Sequence, residues 1–402
     1  MCVRDPVRRL SVRELNPAPG LQPKGVYVHV PFCAKRCHYC DFSVARASQP
    51  PIDAYLRALE VDLTQWFDGL DEARRVPIKT LFVGGGTPSL LGVDGMAALI
   101  ELLRTRFEWD PADFEFTAEA NPNSLDFDLA TDWRRLGVNR LSLGIQSFQE
   151  ETLTWLGRLH TSEEAERSIR ASQDAGIERL NIDLIFGLPS SVRRNWSEDL
   201  QRAVDLGVTH VSAYGLTAEP RTPLGRWVDL GRIRMPGDGR YAAEYLEASD
   251  TLVKAGLEHY EVSNFAQPGQ ASRHNWLYWD ESEYLGIGPS AHSYLAGERI
   301  WNVFRWDRYR EAAASNETLR AGREILDDDQ RKLERIWLDL RTTRGLDAKN
   351  VIGTAARGQL DSWRAEGWLE EGDRLRLTPS GWLRLDALAA EMASWSDQLI
   401  FD

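Results

Sequence analysis

Gly25-Val-Tyr-Val-His-Val-Pro-Phe-Cys33-Ala-Lys-Arg-Cys37-His-Tyr-Cys40-Asp-Phe42 is the stretch on which the reading of this chain turns. A short β-branched run, Gly25–Val30, leads into a loop that carries three of the four cysteines in CxxxCxxC spacing. Thiolates suit iron–sulfur clusters, and a [4Fe–4S] cubane normally takes four protein ligands. Three on one loop leave one iron open, and an open iron can bind and reduce a small molecule. The fourth cysteine, Cys2, sits in a polar stretch far from the loop and is not expected to complete the set. Zinc prefers four ligands in CxxC-type pairs. His38 could join the cysteines, but it is squeezed between two of them. Zinc and buried structural thiols stand as the alternatives to a cluster. A chain of 402 residues with four cysteines is not a disulfide scaffold.

Composition narrows the class. The apolar fraction of 43% is ordinary for a globular protein. A net charge of −13 argues against nucleic acid as a partner, which would favour a basic face. No apolar run reaches the ~18 residues of a membrane span. Residues 1–24 are polar, lack the apolar core of a secretory signal, and are expected to form a loose tail. Free thiols and an oxygen-sensitive cluster suit a reducing cytoplasm.

From that loop outward, apolar runs alternate with helical spacing. Strands are expected at 25–30, 79–83, 114–118, 140–145, 179–185 and 210–215. Helices are expected at 51–67, 95–107, 128–136, 162–175, 196–206 and 240–255. This alternation means βαβ units and a parallel sheet. Six units fall short of a closed eight-fold barrel. The expected fold is therefore α/β, a partial TIM-like (β/α)6 barrel over residues 25–306. After about Asp307 the pattern changes. Helices near 328–339 and 359–366 precede a hairpin with a Gly-Asp turn. Residues 307–402 read as a small α+β, winged-helix-like domain; such domains often bind DNA, but without a strong basic excess a lid or dock is the expected role.

In a parallel barrel the chemistry collects where the strands end. The first strand ends in the cysteine loop and the second in Gly84-Gly85-Gly86-Thr87-Pro88. A glycine run lets backbone approach a ligand and present N–H groups to it. The next strands end in Glu119-Ala-Asn121-Pro122, then Gly144-Ile-Gln146-Ser147, Asn181-Ile-Asp183, and Ser212-Ala213-Tyr214. Any one of these could be a cap or a turn. Together they offer carboxylates and amides to a ligand bearing an amino group, a diol and a positive charge.

The cysteine loop, with Tyr39 before its third cysteine, resembles the radical S-adenosylmethionine (SAM) superfamily, whose core is the partial barrel expected above. With GGGTP, ExNP, SLGIQSF, LGRLH, NIDLIFGLP, HNWLYW and GIGPSAHSY, the chain is similar to the coproporphyrinogen-dehydrogenase-like branch from about Gly25 onward. The resemblance implies that Cys33, Cys37 and Cys40 hold a [4Fe–4S] cluster whose open iron is chelated by SAM. It also implies that Tyr27, Tyr39, Gly85, Gly86, Thr87, Glu119, Gln146, Arg158, Asp183, Ala213 and Ile287 touch SAM.

That branch holds a haem-biosynthesis dehydrogenase and a haem chaperone of HemW type. The dehydrogenase pattern has a further cysteine where this chain has Phe42, and a longer N-terminal extension than the 24 residues here. Both departures argue against decarboxylation of coproporphyrinogen III. His274-Asn-Trp276-Leu-Tyr278-Trp279 matches the HNxxYW motif of the chaperones. A neutral imidazole is a standard axial ligand of haem iron, and the rings of Trp276, Tyr278 and Trp279 can stack on a porphyrin. The bland alternative is an aromatic core segment with a hydrogen-bonded histidine. His29, His38 and His292 are rival ligands; His160, His210 and His259 read as structural. The resemblance implies a haem chaperone that passes haem to an acceptor protein of respiratory type. It further implies a flavodoxin- or ferredoxin-type electron donor, a homodimer, and peripheral membrane contact through the acceptor. The dehydrogenase, or another radical SAM reaction such as methyl transfer, is the alternative.

Overall fold

The computed structural model describes residues 21–69, 75–395 and 398–399. Cys2 and most of the expected tail lie outside these. The described residues fall into two compact units. The first takes in the chain up to Gly144, with Gly157–Leu180 and Ser282–Ile325. The second takes in Ile145–Leu156, Asn181–Glu281 and the chain from Leu326.

The first unit is built on β1 (Gly25–Val30), β2 (Thr80–Gly85), β3 (Glu115–Ala120) and β4 (Arg140–Gln146), whose last two residues belong to the second unit. Each of these strands pairs in parallel with the next. In β1, Val26, Val28 and Val30 have no exposed surface and His29 is buried on the opposite side. Burial on both faces is what a parallel strand under crossover helices requires. Those crossovers are α1 (Ile52–Trp66), α2 (Gly92–Arg104) and α3 (Phe127–Arg135). Asp126 caps α3 by accepting the Leu129 N–H at 2.9 Å.

The second unit opens with α4 (Glu150–Leu156), and the chain then returns to the first through α5 (Ser162–Asp174). Thr161 and Glu164 form a capping box that starts α5. In the second unit β5 (Arg179–Phe186), whose first two residues belong to the first unit, and β6 (His210–Gly215) are parallel, joined through α6 (Trp196–Asp205). All six expected strands, and the helices expected to alternate with them, are therefore present. Beyond α7 (Pro223–Asp229) and α8 (Asp238–Lys254), a hairpin of β7 (Glu258–Glu261) and β8 (Asn264–Ala266) adds to β6 in antiparallel fashion. The short α9 (Arg273–Trp279) follows.

A seventh parallel strand, β9 (Tyr284–Ile287), lies against β1 in the first unit. An antiparallel meander continues from it through β10 (His292–Leu295), β11 (Glu298–Asn302), α10 (Trp306–Ala314) and β12 (Arg320–Ile325). The change of pattern near Asp307 thus coincides with α10, and sheet pairing runs on to Ile325. From Leu326 come α11 (Asp328–Arg341) and α12 (Thr354–Ala365). The expected hairpin follows, with Leu369 bridged to Leu377 and Arg374–Leu375 paired to Leu346–Asp347. The short helix α13 (Pro379–Trp382) and then α14 (Leu385–Ala393) complete an order compatible with a winged-helix-like element.

Candidate functional site

The cysteine loop is closed by its own backbone. Phe32–Cys33 pairs in parallel with Ala45–Arg46, and the Ala47 N–H reaches the Cys33 carbonyl at 2.9 Å. This returns the chain to its start and holds Cys33, Cys37 and Cys40 on one short excursion beyond β1. All three are free thiols, each partly exposed. Burial raises the pKa of the Cys33 thiol, and raises that of Cys40 to about 11. Metal ligation takes the thiolate, so iron binding here would release protons. Among the described residues no three His, Cys, Asp or Glu side chains converge on a single ion. A cubane does not ask for that, because each cysteine binds a different iron. Three cysteine thiols on one loop match a cluster with one open iron, whereas structural zinc takes four ligands. Phe42 beside it is 57% exposed.

Behind the loop, His29 acts as a brace. Its Nε2 lies 2.9 Å from the Ser43 carbonyl oxygen, so Nε2 carries the proton, and Nδ1 accepts from the Tyr27 hydroxyl at 3.0 Å. With both nitrogens engaged and its pKa lowered by burial to about 4, His29 is poorly placed as a haem ligand. Gly85 packs on the imidazole: a Cβ there would stand 2.5 Å from the ring, and its φ of +109° suits glycine alone. A Cβ on Gly86 would fall 2.6 Å from the Phe32 carbonyl oxygen. Gly85 is thus required by the His29 ring and its own φ, and Gly86 by close approach to the backbone that leads into the cluster loop. Glu119 accepts the Gly85 N–H at 2.8 Å, which ties β3 to the same run.

Arg158 joins the cysteines to the strand ends. It donates to Cys37 Sγ at 3.8 Å, to the Gly144 carbonyl at 2.8 Å and to Asn121 Oδ1 at 2.5 Å. Asn121 bonds Thr87 at 2.9 Å, and Thr87 donates to Cys33 Sγ at 3.4 Å. Tyr39, its pKa raised by burial, bonds Cys37 and Arg158. A small cavity of about 30 Å³ opens beside Cys37, lined by Lys35, Thr87, Asn121 and Arg158 among others.

Of the eleven residues expected around SAM, Tyr27, Tyr39, Gly85, Gly86, Thr87, Glu119, Arg158 and Ile287 lie in the first unit. Most are joined by the bonds just described. Ile287, fully buried, ends β9. Gln146, Asp183 and Ala213 lie in the second unit. Gln146 has a φ of 70°, a left-handed conformation uncommon for a side-chain-bearing residue and often found at functional positions. Asp183 accepts from Asn181 at 2.9 Å, and Ala213 is buried. Asn121 was read from sequence as a strand-end amide but not counted among the SAM contacts, and the bracing role of His29 was not foreseen.

The HNWLYW segment forms α9 in the second unit, capped by Ser272, which accepts the Asn275 N–H at 3.2 Å. His274 is 1% exposed; its Nε2 lies 2.9 Å from the Tyr278 hydroxyl, and burial lowers its pKa to about 3. It is a neutral imidazole, as a haem ligand must be, but one already held by a neighbour. Trp276 is stacked on Tyr260 with Arg344 over its ring at 3.9 Å, and Trp279 carries Arg341 at 4.3 Å. Of the rivals, His38 meets Tyr39 edge-on, and His292 is exposed and stacked on Trp301. His259 lies flat on Phe265, and His210 bridges Asn181 and Tyr260, as structural histidines do.

Comparison with known proteins shows the family to which the chain belongs. The family model described as the radical SAM superfamily matches residues 27–203. The heme chaperone HemW of Mycobacterium tuberculosis is 39% identical over 378 residues, covering 93% of this chain and 95% of that protein. The heme chaperone HemW of Escherichia coli is 35% identical over 381 residues, covering 92% and 97%. Among solved structures, coproporphyrinogen III oxidase (HemN) from Escherichia coli, a radical SAM enzyme, superposes with a TM-score of 0.75. The identity is 21%, over 93% of this chain and 91% of that one. That likeness is one of fold, and it agrees with the α/β partial-barrel expectation. No helix among the described residues is long and apolar enough to cross a membrane.

Proposed function

We propose that this chain, which belongs to the radical SAM superfamily and within it to the heme chaperone HemW family, is a haem chaperone that binds haem and hands it to an acceptor protein. The observation that carries the proposal is likeness to heme chaperones along nearly the whole chain, the C-terminal region included. Cys33, Cys37 and Cys40 would hold the [4Fe–4S] cluster, and SAM would meet its open iron. A bound cluster of this kind supplies an electron to SAM at that iron. The residues of this chain contribute position and charge: the glycine run gives close approach, Arg158 places a cation beside Cys37, and Glu119 braces Gly85. His274, with Trp276, Tyr278 and Trp279, is the haem segment in this reading. Iron access to Nε2 would require the Tyr278 hydroxyl to give way. The proposal places the protein in the cytoplasm, with a flavodoxin- or ferredoxin-type donor and a respiratory acceptor that can bring it to the membrane.

Exposed Phe42, standing where the dehydrogenase pattern has a cysteine, speaks against the enzymatic alternative. The test is anaerobic reconstitution followed by two assays in parallel. One follows haem uptake and its transfer to an apo-haem protein; the other looks for protoporphyrinogen after incubation with SAM, a reductant and coproporphyrinogen III. Haem transfer without product is expected. Sustained multiple turnover would replace the chaperone reading by the dehydrogenase.

A further inference from the structure

We propose that Arg158, Asn121 and Thr87 form a one-way hydrogen-bond relay that sets the reduction potential of the cluster. The inference rests on the cluster reading above. Its direction follows from donor chemistry. A guanidinium only donates, so the Asn121 atom 2.5 Å from Arg158 Nη2 is the amide oxygen. The amide nitrogen then faces Thr87 and donates to its hydroxyl at 2.9 Å. That hydroxyl, already accepting, has its proton free for Cys33 Sγ at 3.4 Å. Each bond polarises the next from a fixed positive charge toward a thiolate, and donors so aligned reinforce one another. Thr87 is 4% exposed, which strengthens the effect by keeping water away.

The same guanidinium reaches Cys37 directly at 3.8 Å through its other terminal nitrogen. One arginine therefore serves two of the three cluster cysteines, one directly and one through two neutral side chains. Cys40 takes a backbone N–H from Phe42 instead. Hydrogen bonds to cluster sulfur are among the determinants of its potential. They withdraw charge from the thiolate and so favour the added electron. In this account Asn121 is a positioning residue with no contact to either sulfur, and Thr87 delivers the final bond.

The experiment is a potentiometric titration of the full-length protein, reconstituted anaerobically without SAM, with the reduced cluster followed by electron paramagnetic resonance. Thr87→Val keeps the shape and removes the hydroxyl, so its midpoint should move to a more negative potential. Thr87→Ser should restore the wild-type value. Asn121→Ala should move the midpoint in the same direction by a smaller step, since the hydroxyl then loses its polarising donor but keeps its proton. A Thr87→Val midpoint equal to wild type overturns the relay. If Thr87→Val takes up no cluster, Asn121→Ala decides, and a wild-type midpoint there overturns it as well. A wild-type protein that takes up no cluster defeats the cluster reading itself, an outcome distinct from unmoved potentials.

Discussion

Asp62→Ala should destabilise the first unit far more than an average substitution, and the structure gives the size. Asp62 lies on α1 with no exposed surface. Its carboxylate accepts from the Gly288 N–H at 2.9 Å, Asn302 Nδ2 at 2.9 Å, the Tyr309 hydroxyl at 2.5 Å and Arg320 Nη1 at 2.5 Å. The Arg320 side chain is 4% exposed and lies 3.9 Å over the Trp66 ring. Deleting the carboxylate leaves a buried guanidinium uncompensated, which costs about 3–5 kcal/mol. The Gly288 N–H and the Tyr309 hydroxyl lose this partner too, whereas Asn302 keeps its bond to the Gly288 carbonyl. Losses that share one network overlap, so we take ~4 kcal/mol as the total. For a folding unit of this size ~1 kcal/mol moves the melting midpoint by about 2–4 °C. The expected fall is therefore about 8–16 °C in a thermal melt followed by circular dichroism. The control is the pair Asp62→Ala with Arg320→Met, which removes both charges and should recover part of the loss. A double variant that melts as low as the sum of the two single losses would refute the reasoning, because the penalty would then not come from an abandoned charge.

Replacing Cys33, Cys37 or Cys40 by Ala should abolish the visible absorption of the anaerobically reconstituted protein, whereas Cys2→Ala should leave it; loss of the band in Cys2→Ala would end the case for an open iron. His274→Ala should weaken haem binding and shift the Soret band with the cluster band intact. Trp279→Ala should weaken it without that shift, since one aromatic contact is worth only about 0.5–1.5 kcal/mol beyond its buried area. An unmoved Soret band and affinity in His274→Ala would pass the role to His292 or His38. Burial lowers the pKa of His29 to about 4 and those of His259 and His274 to about 3, from the ordinary 6.5. The unfolded chain takes up these protons first as pH falls, so stability complete above pH 6.5 is lost progressively toward about pH 3. Melting of the apo-protein should show that decline, and His274→Gln should make it shallower; an equal slope would mean that His274 is not a contributor.

Period and spacing in the chain were enough to fix the six βα strands, because a buried parallel strand is a continuous β-branched run and its crossover helix is amphipathic. The cysteine spacing likewise named the cluster loop, since one short excursion must present three thiolates whatever surrounds it. β9 was illegible: four residues, Tyr284–Ile287, carry no period, and only their pairing with β1 and β10 makes them a strand. The antiparallel meander after it was missed although its pairing is local, with Leu295 facing Glu298 across an Ala296-Gly297 turn, because strands of four or five residues carry too little period to read. Within the site, residue types at the strand ends could be listed from sequence, but not their wiring. That Arg158 is linked by hydrogen bonds to Cys33 through Asn121 and Thr87 depends on three segments brought within hydrogen-bond distance by the fold. His29 shows the same limit in reverse. Beside the cysteines it reads as a free ligand, and only the enclosed packing of Tyr27, Ser43 and Gly85 around it turns it into a brace.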